Sequence, residues 1–184
     1  LRLIHSGAIG KERNPMRFFK AVKRLVSEIE DIQIEVTFIG VVERYNKEEL
    51  EKYITDYDLN KYIRFLPSVA YEESNNMLND YDCSIILEAS CEEGIFLPSK
   101  VADYMQMDIP IFSISPKIGV LNDLFKKNKI EYFADCTDIE DIYNALKKIY
   151  FDFLKGELKK SSPELLFSPS EIFNSQKTKI WNHV

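Results

Sequence analysis

The sequence predicts an α/β protein: one domain built on a six-stranded parallel sheet with helices on both faces. Short runs rich in β-branched and aromatic residues alternate along the chain with longer segments of helical period, which is the pattern of repeated βαβ units. The chain has 184 residues, of which 45% are hydrophobic, so it is long enough to bury one substantial core. We therefore expect a single Rossmann-like domain rather than two domains.

Six segments have the apolar content and the flanking turn residues of buried strands. In chain order they are Leu1–Gly7, Ile34–Gly40, Ile63–Leu66, Cys83–Leu87, Ile109–Ile114 and Ile130–Phe133. Cys83–Leu87 is the strongest of them, and its nearly continuous apolar run is typical of a central strand that is buried on both faces.

Two helices of the first half carry recognisable start signals. Asn14 is a candidate N-cap followed by Pro15 at the first helical position, and Asn46 with Glu49 has the spacing of a capping box. The buried stripes predicted for these two helices are Phe18, Val22, Leu25, Val26 and Ile29 for the first, and Leu50, Tyr53, Ile54 and Tyr57 for the second.

Four more helices follow in the second half. We predict three of them over Glu72–Asn79, Pro98–Met107 and Lys117–Asn128. Thr137 and Glu140 form a further capping box, which starts a long helix. Its apolar stripe consists of Ile139, Ile142, Leu146, Ile149 and Phe153.

The last part of the chain differs in character from the rest. Residues 1–155 are predicted to form the sheet domain, and residues 156–184 a polar connector with a terminal helix. That helix would start at Ser168 and offer Ile172, Phe173, Ile180 and Trp181 for docking on the domain or on another half of a longer protein. The chain begins with Leu1 directly on a strand rather than with Met, which indicates a piece of a larger protein.

Composition excludes several classes of function. With 24 Lys and Arg against 30 Asp and Glu the formal charge is −6, so we expect no nucleic-acid partner. Three scattered cysteines and two distant histidines lack the spacing of a zinc site, so no metal is predicted. The sequence has neither a bilayer-length apolar segment nor a signal peptide, which favours the cytoplasm.

Two loops at the predicted carboxyl ends of strands combine glycine with charge. The first, Gly7–Arg13, has two glycines that allow close backbone approach and the basic residues Lys11 and Arg13 before a helix. A guanidinium there could bind a diphosphate through two parallel hydrogen bonds. The alternative is an ordinary βα loop with solvated charges, and the absence of G-x-G-x-x-G disfavours a dehydrogenase.

The second loop follows the central strand and leads into a helix. Lys100 falls in the first turn of that helix, where a cation is unfavourable unless an anion lies nearby. Asp103 is three residues further and shares its face, which suits a lysine on a phosphate and a carboxylate on a ribose hydroxyl. A plain Lys100–Asp103 salt bridge is the alternative, but it does not account for Glu93 and Gly94 beside them.

The order of these motifs resembles a known enzyme family. Ser6–Ile9 followed by Arg13–Pro15 is similar to its opening loop, and Ile63–Val69 to the segment that lines its nucleobase pocket. Leu97–Met105, with Ile109–Ile111 after it, is the most specific match. Together these segments resemble the retaining GT-B glycosyltransferases, the family that includes bacterial capsule and lipopolysaccharide sugar transferases.

The resemblance implies the C-terminal, donor-binding half of a GT-B fold and gives roles to individual residues. Arg13 and Lys100 would stabilise the donor diphosphate, and Glu93 would orient the sugar. The other donor-binding residues would be Gly7, Ala8, Val69, Gly94, Ile95, Ser99 and Asp103, with Asp103 on the ribose. In the family pattern seven residues separate two glutamates, whereas nine separate Glu93 from Asp103, and the second is aspartate.

The activity implied is transfer of a sugar, with retained configuration, from a UDP- or GDP-linked donor to an acceptor hydroxyl in bacterial cell-surface polysaccharide synthesis. No metal or other cofactor is implied. The partners would be the nucleotide sugar and an N-terminal acceptor domain of the same protein, through which any contact with the inner face of the membrane would run. This chain alone would be inactive. Two alternatives stay open: a non-catalytic nucleotide-sugar-binding module and a nucleotide-sugar 2-epimerase.

Overall fold

Six parallel strands form the central sheet of the protein. A computed structural model describes residues 1–160, apart from the side chains of residues 44–46. Including two short strands outside this sheet, the strands of the described residues are β1 Arg2–Ser6, β2 Glu35–Ile39, β3 Ile63–Leu66, β4 Cys83–Leu87, β5 Glu93–Gly94, β6 Ile111–Ser115, β7 Ile118–Gly119 and β8 Phe133–Asp135. The main sheet has the order β3-β2-β1-β4-β6-β8, while β5 and β7 pair in a separate two-stranded sheet.

The helices alternate with the strands along the chain, as the predicted βαβ pattern requires. They are α1 Met16–Glu28, α2 Arg44–Asp56, α3 Tyr71–Met77, α4 Lys100–Gln106, α5 Val120–Lys127 and α6 Ile139–Lys155, with a 3₁₀ turn over Leu78–Asp80. The prediction of one domain with a six-stranded parallel sheet is therefore confirmed.

Both faces of the sheet are covered, because successive strand residues point to opposite sides. On β1, Leu3 belongs to one core cluster and Ile4 to the other. The first cluster contains the buried faces of α1, α2 and α6, and the second contains those of α4 and α5. Helices thus cover both faces of the sheet, as predicted, and the ends of its strands are not covered by them.

Helix starts agree only in part with the predicted caps. The helix α1 begins at Met16 with Pro15 at its N-cap, one residue later than predicted, and Asn14 Oδ1 still accepts a hydrogen bond from Met16 N at 2.8 Å. The capping box at Asn46 is wrong, since α2 begins earlier and places Asn46 inside its first turn. For α6 the cap is Asp138 rather than Thr137, because the Asp138 carboxylate accepts from the N–H groups of Glu140 and Asp141.

Two predicted strand starts are also wrong. β6 begins at Ile111 instead of Ile109, and β8 begins at Phe133 instead of Ile130. Ile109 and Ile130 instead belong to the ends of the preceding helices, because Ile109 N donates to Tyr104 O and Ile130 N donates to Phe125 O. The predicted terminal helix and most of the predicted connector, residues 161–184, lie outside the described residues.

Candidate functional site

The strand order reverses between β1 and β4, and this is where an open parallel sheet has its crevice. The pairing of β1 with β4 covers only Leu3 with Cys83 and Ile4 with Ser84. Beyond that point the two strands diverge toward their carboxyl ends. The loops that follow them frame two adjoining cavities, and Ser6, Gly7 and Lys100 line both.

The first of them, the β1–β2 cavity, has a volume of about 260 Å³. Its lining consists of Ser6, Gly7, Ala8, Ile39, Gly40, Val41, Ser68, Val69, Tyr71, Ser74 and Lys100. Gly40 shapes this wall: its φ is 142°, and a Cβ there would lie 2.4 Å from the carbonyl oxygen of Gly7. Only glycine therefore lets the end of β2 approach the Gly7 loop so closely.

The second, the β1–β4 cavity, has a volume of about 210 Å³. Its lining consists of His5, Ser6, Gly7, Arg13, Ile85, Ile86, Leu87, Pro98, Ser99, Lys100 and Tyr104. Two cations from separate crossover loops, Arg13 and Lys100, thus meet at one cavity. A preformed pair of positive side chains at the mouth of a parallel sheet can bind an anion of diphosphate size.

Lys100 is paired within the protein itself. Its ammonium lies 3.2 Å from an oxygen of Asp103 and 5.0 Å from the centroid of the Tyr71 ring, while Tyr71 donates a 2.7 Å hydrogen bond to Asp103. The unfavourable position of Lys100 in the first turn of α4 is therefore compensated by Asp103, and it needs no bound phosphate. Asp103 is not among the residues that line either cavity, and its contact with the ribose stays a prediction.

Some backbone amides of the loop after β1 already donate hydrogen bonds within the protein. Gly7 N donates to Ile39 O and Ile9 N donates to Val41 O, both at 2.9 Å. Within the described chain no hydrogen bond from Ala8 N is found, so a ligand could use this amide. Ala8 and Val69 line the β1–β2 cavity, and Ser99 lines the β1–β4 cavity.

Glu93, Gly94 and Ile95 do not line either cavity. Glu93 is exposed and pairs with Ile118 in the two-stranded sheet, whereas Gly94 is buried and pairs with Gly119. Ile95 is 63% exposed. These three residues thus lie outside the lining of both cavities, and a role for them in holding the sugar stays a prediction.

The sequence interpretation missed His5, whose side chain sits in the split between β1 and β4. His5 Nδ1 lies 3.0 Å from Ile85 O, one residue beyond the last β1–β4 pair. Burial lowers the pKa of His5 from 6.5 to about 4, and the charges of Arg13 and Lys100 act in the same direction. The sequence did offer one indication of its role, since His5 is a polar residue at the end of the first strand. We considered this histidine only as a metal ligand.

Two further side chains near the site were not singled out. Tyr104 is buried, accepts a 3.1 Å hydrogen bond from Ser6 N, and has its pKa raised by burial. Burial also raises the pKa of Glu88, against the opposing effects of the Arg13 charge and a hydrogen bond with Ser115. Tyr104 lies on a helix and Glu88 follows a strand, and they approach the site only in the folded protein. No spacing within the sequence therefore identifies these two residues.

Two general properties of the described residues bear on the chemistry. Across residues 1–160, no group of three or more His, Cys, Asp and Glu side chains is arranged to hold a metal ion. Over the same residues, every helix falls short of the length and apolar character that crossing a bilayer demands.

Solved structures with the same fold include several glycosyltransferases. HepE of Anabaena, in complex with UDP, matches with a TM-score of 0.71 at 13% identity, covering 100% of this chain and 49% of HepE. The catalytic domain of cholesterol-α-glucosyltransferase from Helicobacter pylori matches with a TM-score of 0.65 at 13% identity, covering 85% and 90%. An S. aureus TarM variant bound to fondaparinux, α-GlcNAc-glycerol and UDP has a TM-score of 0.65 at 14% identity, covering 85% and 30%.

At these identities the likeness shows the fold, which is that of the Rossmann-like halves of GT-B proteins. The chain spans about half the length of HepE. No curated protein matches the chain in sequence. The family model described as Glycosyl transferases group 1, however, matches residues 1–159, which is most of the chain. The protein therefore belongs to the group 1 glycosyl transferases.

Proposed function

We propose that this domain binds the nucleotide-sugar donor of a retaining, metal-independent glycosyltransferase and forms the C-terminal half of its GT-B fold. The observation that carries the proposal is the meeting of Arg13 and Lys100 at the β1–β4 cavity. The donor would be UDP- or GDP-linked, and the acceptor hydroxyl would belong to a cell-surface polysaccharide. The UDP bound to HepE supports this donor class.

Breaking the bond between sugar and diphosphate leaves growing negative charge on the diphosphate. Fixed cations stabilise that charge as it develops, without reorganisation at the moment of reaction. In this protein Arg13 and Lys100 would supply the positive charge, and the Ala8 amide would add a neutral donor. The adjoining β1–β2 cavity, with Val69 in its wall, would take the nucleoside.

The acceptor would bind to an N-terminal half, because the chain spans only 49% of HepE. We propose that the two halves close around the donor on the cytoplasmic side of the membrane. This domain alone would then bind nucleotide weakly and transfer nothing. Glu93, Gly94 and Ile95, which line neither cavity, would reach the sugar only after such closure.

Calorimetry with UDP and GDP in the presence of EDTA tests the proposal. We expect Arg13→Ala and Lys100→Ala each to weaken binding about tenfold to a hundredfold, because hydrogen bonds to charged groups contribute roughly 1.5–3 kcal/mol. Arg17→Ala is the matched control, since Arg17 lies on α1 and lines a different cavity beside Ser90. Unchanged affinity in both site variants, or binding that EDTA abolishes, would count against the proposed site.

A further inference from the structure

His5 lies where β1 and β4 separate. The two strands stop pairing after Ile4 and Ser84, and His5 Nδ1 reaches Ile85 O at 3.0 Å just beyond that point. The residue is 7% exposed, and the centroid of its ring lies 5.6 Å from that of Phe38. It also lines the β1–β4 cavity together with Arg13 and Lys100.

The hydrogen bond to Ile85 fixes the protonation of the ring. Ile85 O is a carbonyl oxygen and can only accept, so Nδ1 carries the proton at 3.0 Å. In the neutral imidazole the other nitrogen, Nε2, is then an acceptor with a free lone pair. Among the described residues no hydrogen-bond partner of Nε2 is found.

Gly7 leaves the way to Nε2 open. A Cβ at Gly7 would lie 3.3 Å from Nε2, so any side chain there would cover it. Both residues line the β1–β4 cavity, and a ligand in this cavity therefore meets the lone pair of Nε2 beside two cations.

An acceptor among cations and donors selects a particular kind of ligand group. Arg13, Lys100 and the Ser99 hydroxyl can all donate to phosphate oxygens. A phosphate oxygen itself has no proton to offer Nε2 when the phosphate is ionised. A neutral hydroxyl does, and the sugar of a nucleotide sugar is joined directly to the diphosphate that these cations would hold.

We propose that His5 Nε2 accepts a hydrogen bond from a hydroxyl of the donor sugar and thereby distinguishes a nucleotide sugar from the bare nucleotide. This inference rests on the proposed donor site. It makes His5 a specificity-determining residue, with Ile85 O as the group that sets its tautomer. Because burial holds the pKa of His5 at about 4, the lone pair is present throughout the neutral range.

Nitrogen NMR on the wild-type chain tests the inference without any substitution. The sequence contains only His5 and His183, so the imidazole signals are few, and His183 provides an internal reference. We expect the Nε2 resonance of His5 to move when UDP-glucose, UDP-galactose, UDP-N-acetylglucosamine or GDP-mannose binds. UDP and GDP alone, which contain ribose hydroxyls but no transferred sugar, should move it less, because they change only the charge near the ring.

Two variants measure the size of the effect by calorimetry. His5→Phe keeps a ring against Phe38 but removes the acceptor, and we expect it to weaken the sugar nucleotide about threefold to tenfold more than UDP or GDP. His5→Gln retains an acceptor near the position of Nε2 and should recover part of that difference. Thermal unfolding of both variants checks that the fold is retained.

The outcomes separate the inference from the proposal beneath it. A nucleotide sugar that binds without moving the Nε2 resonance would overturn the role of His5 and leave the donor site standing. Movement of equal size with UDP or GDP alone would also overturn it, because the transferred sugar would then add no hydrogen bond to Nε2. If neither the nucleotides nor the four nucleotide sugars bind, the proposed donor site fails and the inference fails with it.

Discussion

The two cations of the site differ in how their charges are compensated. Lys100 lies 3.2 Å from Asp103, which is held in turn by Tyr71, so part of its charge is already neutralised. Arg13 is exposed and forms no salt bridge within the described residues, and its charge lowers the pKa of Glu88 against the larger effect of burial. A bound diphosphate would therefore meet one uncompensated guanidinium and one ammonium that it must share with a carboxylate.

His5 should make the stability of the protein depend on pH. Its pKa is about 4 in the folded state against 6.5 when exposed, so the unfolded chain binds the extra proton between these values. The contribution is fully present above pH 6.5 and is lost as the pH falls toward 4, by about 3 kcal/mol in total. Urea unfolding at pH 7, 6 and 5 measures this loss.

The control for this prediction is His5→Gln, which cannot take up the proton. The carboxylates common to both chains cancel in the comparison, so the free energy of unfolding should fall less steeply with acidification in the variant. Equal pH dependence in the two chains would show that His5 is not held neutral by the fold.

Helix ends explain the errors in the predicted strand starts. After α2, α4 and α5 the residues Asp58, Asp108 and Lys129 adopt left-handed φ values of 52°, 50° and 54°. In each case the next residue, Leu59, Ile109 or Ile130, donates its N–H five residues back, which is the Schellman arrangement. In the sequence, the apolar residue that follows such a helix end looks like the first residue of a strand. This explains the wrong strand starts at Ile109 and Ile130.

The α6 helix ends in the same way but with Gly156, at a φ of 70°. Glycine has no Cβ to oppose the left-handed conformation, whereas other residues pay roughly 1 kcal/mol for it. We expect Lys129→Gly to raise the free energy of unfolding by up to about 1 kcal/mol and Gly156→Ala to lower it by about as much. Urea unfolding of the two variants measures both effects.

Lys127→Gly provides the contrast, two residues before Lys129 but within α5. There glycine replaces a residue of right-handed helical conformation and should destabilise the protein by about 1 kcal/mol. Destabilisation by Lys129→Gly of the same size as by Lys127→Gly would contradict the assignment of a left-handed helix end.

Sequence patterns located the elements of this fold better than its contacts. The alternation of periods is local and strong, so the six main strands and the helices between them could be predicted from it. β5 and β7 are two residues each, too short to show any period. Arg13 and Lys100 could be proposed from their loops, but the partners of Lys100, the buried His5 and the separation of Glu93 from the cavities depend on how distant segments meet.

At the scale of the whole molecule, the sheet has two edges with different electrostatic character. The carboxyl edge holds the β1–β2 and β1–β4 cavities, with Arg13 and Lys100. The opposite edge has a cavity of about 290 Å³ whose lining includes Asp82 and Asp108, and Lys160, the one lysine that lines it among residues 1–160, pairs with Asp108 at 2.9 Å. An anionic ligand is expected at the first edge and is disfavoured at the second.

Hydrogen–deuterium exchange with UDP distinguishes the two edges directly. Peptides that contain residues 7–13, 68–71 and 98–104 should exchange more slowly when UDP is added, because these segments line the two cavities at the carboxyl edge. Peptides around Asp82 and Asp108 should not change. In Lys100→Ala the protection should weaken over all three segments together, since they would share one ligand. Protection confined to the acidic edge would instead show that the nucleotide ignores the cations on which the donor site depends.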